Sequence, residues 1–225
     1  MGADCGRGDG PVFPERAARA GRRYSHGRAG DAIGGRSEGG RAVLSDGAVV
    51  PCDFVVVGVG VKPETTLAET AGLKVENGVV VDAYLKTEDP NIYAAGDVAR
   101  FYHPLFGTAM RIEHWEVAAH LGVCAARNMA GDECIVHDAP EFFSDMFDLH
   151  IEWYGYAPKW DRIVKRPVES EKFTGLYLKD GKVAGALLVN NKDDVSLART
   201  LIQKQTVVHD TDSLLSPALD PARTQ

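Results

Sequence analysis

Asp97 is the residue with the clearest chemical use: it follows Gly96 and the apolar tetrad Ile92-Tyr93-Ala94-Ala95. At neutral pH its carboxylate only accepts hydrogen bonds, which suits the hydroxyls of a sugar-like chain. Gly96 lets a ligand approach the backbone without meeting a Cβ. A second candidate is the pair Gly58 and Gly60 in Gly58-Val59-Gly60-Val61-Lys62-Pro63. That string lacks the third glycine, opening a helix, that a dinucleotide loop requires. A third is Met110-Arg111-Ile112-Glu113-His114-Trp115, just before a run of helical periodicity. It places an acid, an imidazole and an indole at a helix start, where free N–H groups and about half a positive charge favour an anion.

The elements that must hold these residues follow from pattern. Pro90-Asn91 makes a turn, and Ile92 to Ala95 is an apolar run of strand length, which puts Asp97 at the carboxyl edge of a sheet. Val43-Leu44 and Val49-Val50 flank Ser45-Asp46-Gly47, a hairpin signal. Asp53 to Val57 reads as a strand covered on both faces, and Val79 to Asp82 as another. Thr65 to Ala71 reads as a short helix stopped by Gly72. Glu116 to Met129 reads as a longer one stopped by Gly131, with Val117, Leu121, Cys124 and Met129 on its apolar side. Beyond Pro140, strand patterns at His150–Gly155, Phe173–Leu178 and Val183–Val189 surround an Asp180-Gly181 hairpin, and a helix follows over 195–204. Strands followed by a helix predict a small α+β domain.

The 225 residues can bury a real core, and a net charge of −7 argues against nucleic acid or an anionic membrane as partner. No apolar run reaches the length of a membrane span, and Gly and Arg stand where a signal peptide needs an apolar stretch, so the expectation is a cytoplasmic protein. Cys5, Cys52, Cys124 and Cys134 form no C-x-x-C pair, which speaks against a zinc knuckle and a redox-active disulfide. No metal site is expected: His114 and His120 are six apart, off one helical face, and no H-E-x-x-H occurs. No nucleophile or acid–base group is assigned, and G-x-S-x-G is absent. Residues 1–40 are crowded with Gly and Arg, so a disordered or non-native leader, such as a frame-shifted 5′ end, is expected there.

The string Thr87-Glu88-Asp89-Pro90-Asn91-Ile92-Tyr93-Ala94-Ala95-Gly96-Asp97 resembles the second flavin-binding motif of the FAD-dependent pyridine-nucleotide reductases, T-x-x-x-x-(I/V)-(Y/F)-A-x-G-D. Arg111-Ile112-Glu113-His114-Trp115 with Ala118-Ala119 and Ala125 to Met129 resembles that family's flavin-facing helix, closest to the apoptosis-inducing-factor-like branch. The resemblance runs from about 41 to 208; the family usually has Arg-Pro-Asn-Thr where this chain has Lys62-Pro63-Glu64-Thr65.

The resemblance implies a fold class of α/β, with partial FAD/NAD(P)-binding Rossmann-like domains followed by a small α+β C-terminal reductase domain. Residues 41–63 would end the NAD(P)H-binding domain, 64–138 complete the FAD-binding domain, 139–208 form the reductase C-terminal domain, and 209–225 a flexible tail. It implies that Gly96 and Asp97 bind the ribityl chain of FAD, that Glu113, His114 and Trp115 are FAD-proximal, and that Phe143 (Phe142 the alternate) approaches the nicotinamide–flavin stack. Gly58 and Gly60 mark the crossing between the two nucleotide domains. The implied reaction takes hydride from NAD(P)H to FAD and hands electrons to a ferredoxin- or rubredoxin-type protein, a quinone or a small acceptor. The C-terminal domain is implied in homodimer contacts. Neither of the family's two G-x-G-x-x-G loops occurs in this sequence, so the expectation is the C-terminal half of a reductase. The alternative is a cofactor-free remnant or an interaction and dimerisation module.

Overall fold

The computed structural model describes residues 30–35, 40–44, 47–54, 56, 58, 60–169 and 171–216, divided into two compact units, Met1–Val61 and Lys62–Gln225.

The first unit contains an antiparallel sheet in the order β1 (Gly30–Gly35), β2 (Gly40–Leu44), β3 (Val49–Cys52). The hairpin expected from Val43-Leu44 and Val49-Val50 is β2–β3, with Val43 opposite Val49 and Gly40 opposite Cys52; residues 45 and 46 of its turn lie outside the described residues. Gly30–Gly35, inside the segment expected to be irregular, pairs with β2. Ladder hydrogen bonds need only backbone, so a strand can form there without a side-chain period. Residues 1–29 and 36–39 of that segment lie outside the described residues. Of the covered strand expected from Asp53 to Val57, the described residues Asp53, Phe54 and Val56 carry no ladder, and Phe54 and Val56 are 80% and 84% exposed; residues 55 and 57 lie outside the described residues. An apolar run becomes a parallel strand only when neighbours pair with both its edges.

The second unit holds two cores. Its first sheet runs β4 (Val79–Val81), β5 (Ala99–His103), β6 (Thr108–Met110), with β4 parallel to β5 and β6 antiparallel. The short helix α1 (Thr66–Thr70) precedes it, closed by Gly72 as expected. Against this sheet lies α2 (Trp115–Met129), which buries Val117, Leu121, Cys124 and Ala125 on Val79, Val81, Leu85, Phe101 and Met110. Met129, expected on that side, is instead 61% exposed, and Ala125 takes the inward place. A 3.6-residue period carries the buried stripe from 117 through 121 to 124 and 125, and leaves 129 past its edge. Gly131 ends the helix at φ +85°, its N–H bonded to the Asn128 carbonyl.

The sheet β4-β5-β6 buries His103, which is 1% exposed among the rings of Phe101 and Phe106. Its Nε2 donates to the Asp138 carbonyl at 3.1 Å, and Nδ1 has no partner among the described residues. Burial, with His137 adding to it, holds the imidazole below its usual pKa, and the Asp138 contacts only partly oppose this. A histidine depressed in the fold is protonated first in the unfolded chain. Its contribution is therefore present above the unfolded pKa of about 6.5 and lost as pH falls through the lower folded value. The urea midpoint should drop between about pH 7.5 and about pH 5.5, and His103→Gln should flatten that slope. Equal slopes for both proteins would refute this role.

The C-terminal part is an antiparallel sheet in the order β7 (Glu141–Met146), β8 (Leu149–Gly155), β11 (Lys182–Val189), β10 (Lys172–Lys179), β9 (Arg162–Glu169). Asp180-Gly181 makes the β10–β11 turn with both φ positive (+50° and +74°), as a two-residue hairpin of matching twist demands. Helix α3 (Val195–Gln203) buries Leu197, Ala198, Leu201 and Ile202 in the same core as Leu176, Leu178, Val183, Ala186 and Leu188. Where a flexible tail was expected from 209, a 3-10 turn at Ser213–Leu215 plugs a fully buried Leu214 into this core; residues 217–225 lie outside the described residues. One apolar side chain with a matching hole outweighs the polar composition around it.

Candidate functional site

The Asp97 segment is built by a turn and a bridge rather than by the strand expected at Ile92 to Ala95. Asp89 caps the turn, its carboxylate accepting from the Asn91 N–H at 2.9 Å, and Thr87 Oγ1 donates to the Ile92 carbonyl at 3.0 Å. A lone antiparallel bridge, Lys86 to Tyr93, holds the extended residues after it. The regular strand, β5, begins only after the Gly-Asp. Gly96–Val98 is a 3-10 turn, Gly96 has φ +74°, and Asp97 is exposed. The carboxylate of Asp97 has no partner among the described residues, so it is free to accept from a ligand.

The turn is set against the start of α2. A Cβ on Gly96 would meet Ala118 Cβ, in the first turn of the helix, at 3.8 Å. Arg111 fixes the arrangement: its side chain is 10% exposed, its Nη1 donates to the Asp97 carbonyl at 3.1 Å, and the same atom lies 2.6 Å from Glu113 Oε1. Room for Arg111 comes from Gly78, where a Cβ would stand 2.8 Å from Arg111 Cδ and 2.7 Å from the Val98 carbonyl oxygen. Glu113 is thus committed to Arg111, and Arg111 Nε is buried with no hydrogen-bond partner among the described residues. Gly78 did not stand among the candidate site residues, and Arg111 stood only inside the Met110–Trp115 string, with no role of its own. Arg111 was legible only as a cation two positions before the acid, and Gly78 carried no signal because its neighbours come from other elements.

His114 is the N-cap of α2, extended at φ −147° and ψ 135°, and no side chain among the described residues caps the helix. The first N–H groups of a helix that makes no such cap remain available to an anion or a polar ligand edge. The His114 ring lies 6.0 Å from that of Trp115, 5.9 Å from that of Phe142 and 6.2 Å from that of Phe143. Its Nδ1 is buried with no hydrogen-bond partner among the described residues, and the Glu116 carboxylate is 4.0 Å away. Trp115, Phe142 and Phe143 are 65%, 41% and 46% exposed. Phe142 is stacked on Trp153 at 6.2 Å and 18°, whereas Phe143 meets His150 at 6.0 Å and stands edge-on to His114. Three exposed aromatic rings around one imidazole are unusual for a folded surface and suit a flat apolar ligand.

Gly96, Asp97, Glu113, His114, Trp115 and Phe143 therefore converge on the N-terminal end of α2. Gly58 and Gly60 lie in the first unit, where Gly60 has φ +86° and a Cβ built on either meets nothing within 4 Å among the described residues. No cluster of three or more metal-ligating side chains occurs among the described residues, and no helix there is long and apolar enough to cross a membrane. The site offers a carboxylate acceptor, helix N–H donors and aromatic faces, a set for binding an extended polar-and-aromatic molecule.

The site stands on an α/β sheet that an antiparallel α+β domain follows in the chain. Residues 20–122 match the pyridine nucleotide-disulphide oxidoreductase family and residues 141–220 match the reductase C-terminal domain; the chain belongs to this family. The family match begins at residue 20, within the segment expected to be a leader. The chain is 38% identical, over 76% of its length, to the ferredoxin–NAD(+) reductase component of the anthranilate 1,2-dioxygenase system of Burkholderia cepacia, of which it covers 43%. It superposes on the ferredoxin reductase of the CYP199A2 system from Rhodopseudomonas palustris with a TM-score of 0.85 and 33% identity, covering 94% of this chain and 52% of that one. The reductase in the covalent putidaredoxin reductase–putidaredoxin complex gives a TM-score of 0.84 at 26% identity, over 93% and 51%. The chain thus spans about half the length of these relatives, and the expected fold class, α/β followed by α+β, is the observed one.

Proposed function

We propose that this chain supplies the ribityl and ring-facing side of the flavin site in an FAD-dependent NAD(P)H oxidoreductase. The carrying observation is the convergence of a free Asp97 carboxylate, an uncapped helix N-terminus and the exposed rings of Trp115 and Phe143 at one place. The residues fit the cofactor in kind. Asp97 accepts hydrogen bonds from the hydroxyls of a ribityl-like chain, and Gly96 leaves that approach clear. The N–H groups at the start of α2 stabilise negative charge on a ring edge brought to them. Trp115 and Phe143 cover an aromatic face and exclude water from it, and His114, with an unpaired buried nitrogen, has a hydrogen bond to offer. When bound, FAD supplies the acceptance of a hydride and the release of single electrons.

The electron acceptor in this reading is a ferredoxin- or rubredoxin-type protein, supported by the ferredoxin reductases that the chain resembles. Gly58 and Gly60 keep their place as the crossing from the NAD(P)H-binding to the FAD-binding domain, supported by the division after Val61. A cytoplasmic setting goes with the proposal, since Cys52, Cys124 and Cys134 are free thiols.

The test is direct. The full chain, purified with added FAD, is washed and its visible spectrum recorded before and after NADH or NADPH. A stoichiometric flavin band that bleaches with either nucleotide supports the proposal. A flavin-free protein would overturn it in favour of the interaction module.

A further inference from the structure

Two of the cysteines, separated in sequence and outside any C-x-x-C spacing, meet behind the flavin-facing helix. Cys124 lies on the buried side of α2 at 1% exposure, and Cys134, in the segment after the helix, packs partly buried against the same core. Asn128, one turn along from Cys124, holds them together. Its Oδ1 accepts from the Cys134 N–H at 2.8 Å, and its Nδ2 donates to the Cys134 carbonyl at 2.8 Å and to the Tyr84 carbonyl at 2.8 Å. The same Nδ2 is 3.9 Å from Cys124 Sγ.

The two thiols differ in a way that assigns them roles. Burial, and then the Cys134 side chain beside it, push the Cys124 thiol up to about 12, so it keeps its proton. Cys134 is more accessible, and Arg127 Nη1 stands 4.0 Å from its sulfur while Arg127 Nε is held by Asp132 at 2.8 Å. A thiol reacts with peroxides through its thiolate, and the more accessible of two thiols meets them first. A partly exposed thiol beside a fixed cation, backed by a buried neutral one, is the layout of an attacking and a resolving cysteine.

We propose that Cys134 and Cys124 form a peroxide-reactive dithiol, closing to a disulfide that ties the segment after α2 back to the helix. The chemistry needs only a hydroperoxide as oxidant. The Cys134 thiolate attacks one peroxide oxygen, the O–O bond breaks, and Cys134 becomes a sulfenic acid while the departing alkoxide takes a proton to leave as the alcohol. The Cys124 sulfur then bonds to the Cys134 sulfur and gives up its proton, and the sulfenic oxygen leaves as water. Two thiols lose two electrons and the peroxide gains them.

The experiment uses the full chain with Cys5→Ser and Cys52→Ser, exposed to hydrogen peroxide under native conditions and analysed by intact and peptide mass spectrometry. The expected result is a loss of two hydrogens, with the peptides carrying residues 124 and 134 linked, and native alkylation of Cys134 at least roughly 10-fold faster than of Cys124. Cys124→Ala should stop the reaction at a sulfenic acid on Cys134 that dimedone traps, and Cys134→Ala should leave Cys124 unreactive. Oxidation that produces no link between the two peptides, or equal alkylation of the two thiols in the native protein, overturns the proposal.

Discussion

Asp97→Ala should lower the affinity for FAD about 10- to 100-fold, as read by titrating the chain with flavin and following fluorescence quenching. The magnitude follows from what is removed. A hydrogen bond to a charged acceptor contributes about 1.5–3 kcal/mol, and a carboxylate presented to a polyol can take more than one. Asp97 is suited to give that full effect because its side chain is exposed and has no partner among the described residues, so it loses nothing within the protein on binding. The turn that presents it is held through its backbone, by Arg111 on the Asp97 carbonyl, and this bond survives the substitution. Folding is therefore expected to be unchanged, with a thermal midpoint close to that of the parent. Asp97→Asn, which keeps one acceptor oxygen, should fall between the two. An unaltered affinity in Asp97→Ala would remove Asp97 from the flavin site.

Asp194→Ala should destabilise the C-terminal sheet by about 3–5 kcal/mol, enough to unfold a marginal domain, as measured by urea denaturation. Arg166, 6% exposed on β9, grips Asp194 in front of α3 with two bonds, Nε to Oδ2 at 3.0 Å and Nη2 to Oδ1 at 3.2 Å. Asn191 Nδ2 donates to the same carboxylate at 3.0 Å and to Thr174 Oγ1 at 2.8 Å, while Arg166 Nη1 donates to the Leu214 carbonyl. One ion pair thus joins the edge strand β9, the approach to α3 and the Leu214 turn. Removing the carboxylate leaves a guanidinium in a site that water scarcely reaches, and the uncompensated charge rather than the lost attraction sets the size of the effect. The double replacement Arg166→Met with Asp194→Leu should recover much of the loss, because no charge is then buried. A single variant within about 1 kcal/mol of the parent would show that water reaches the pair more freely than its burial indicates.

Two local rules carried most of the reading of elements from sequence. The stripe Val117, Leu121 and Cys124 repeats at the helical period and is the buried side of α2. Asp180-Gly181, with the positive φ angles such a turn needs, closes the β10–β11 hairpin. The failures have a common cause. Phe54 to Val57 had the composition of a covered strand, but pairing is a property of neighbours. Ile92 to Ala95 had the length of a strand, but only Tyr93 makes a bridge. Leu214 sat in polar sequence and is fully buried because a hole in the core accepts it.

The sequence by itself determined the family and the identity of the candidate ligand-facing groups, because the Thr87–Asp97 and Arg111–Trp115 strings are short and locally encoded. The tertiary structure alone decided how they act together. Arg111 joins the Asp97 turn to Glu113, Gly78 makes room for it, and His114 gathers Trp115, Phe142 and Phe143 from two different elements. The meeting of Cys124 with Cys134 and of Arg166 with Asp194 was decided there too. Backbone propensity and side-chain period act over a few residues, whereas these contacts arise from packing, which places residues by the shape of the whole core rather than by their spacing along the chain.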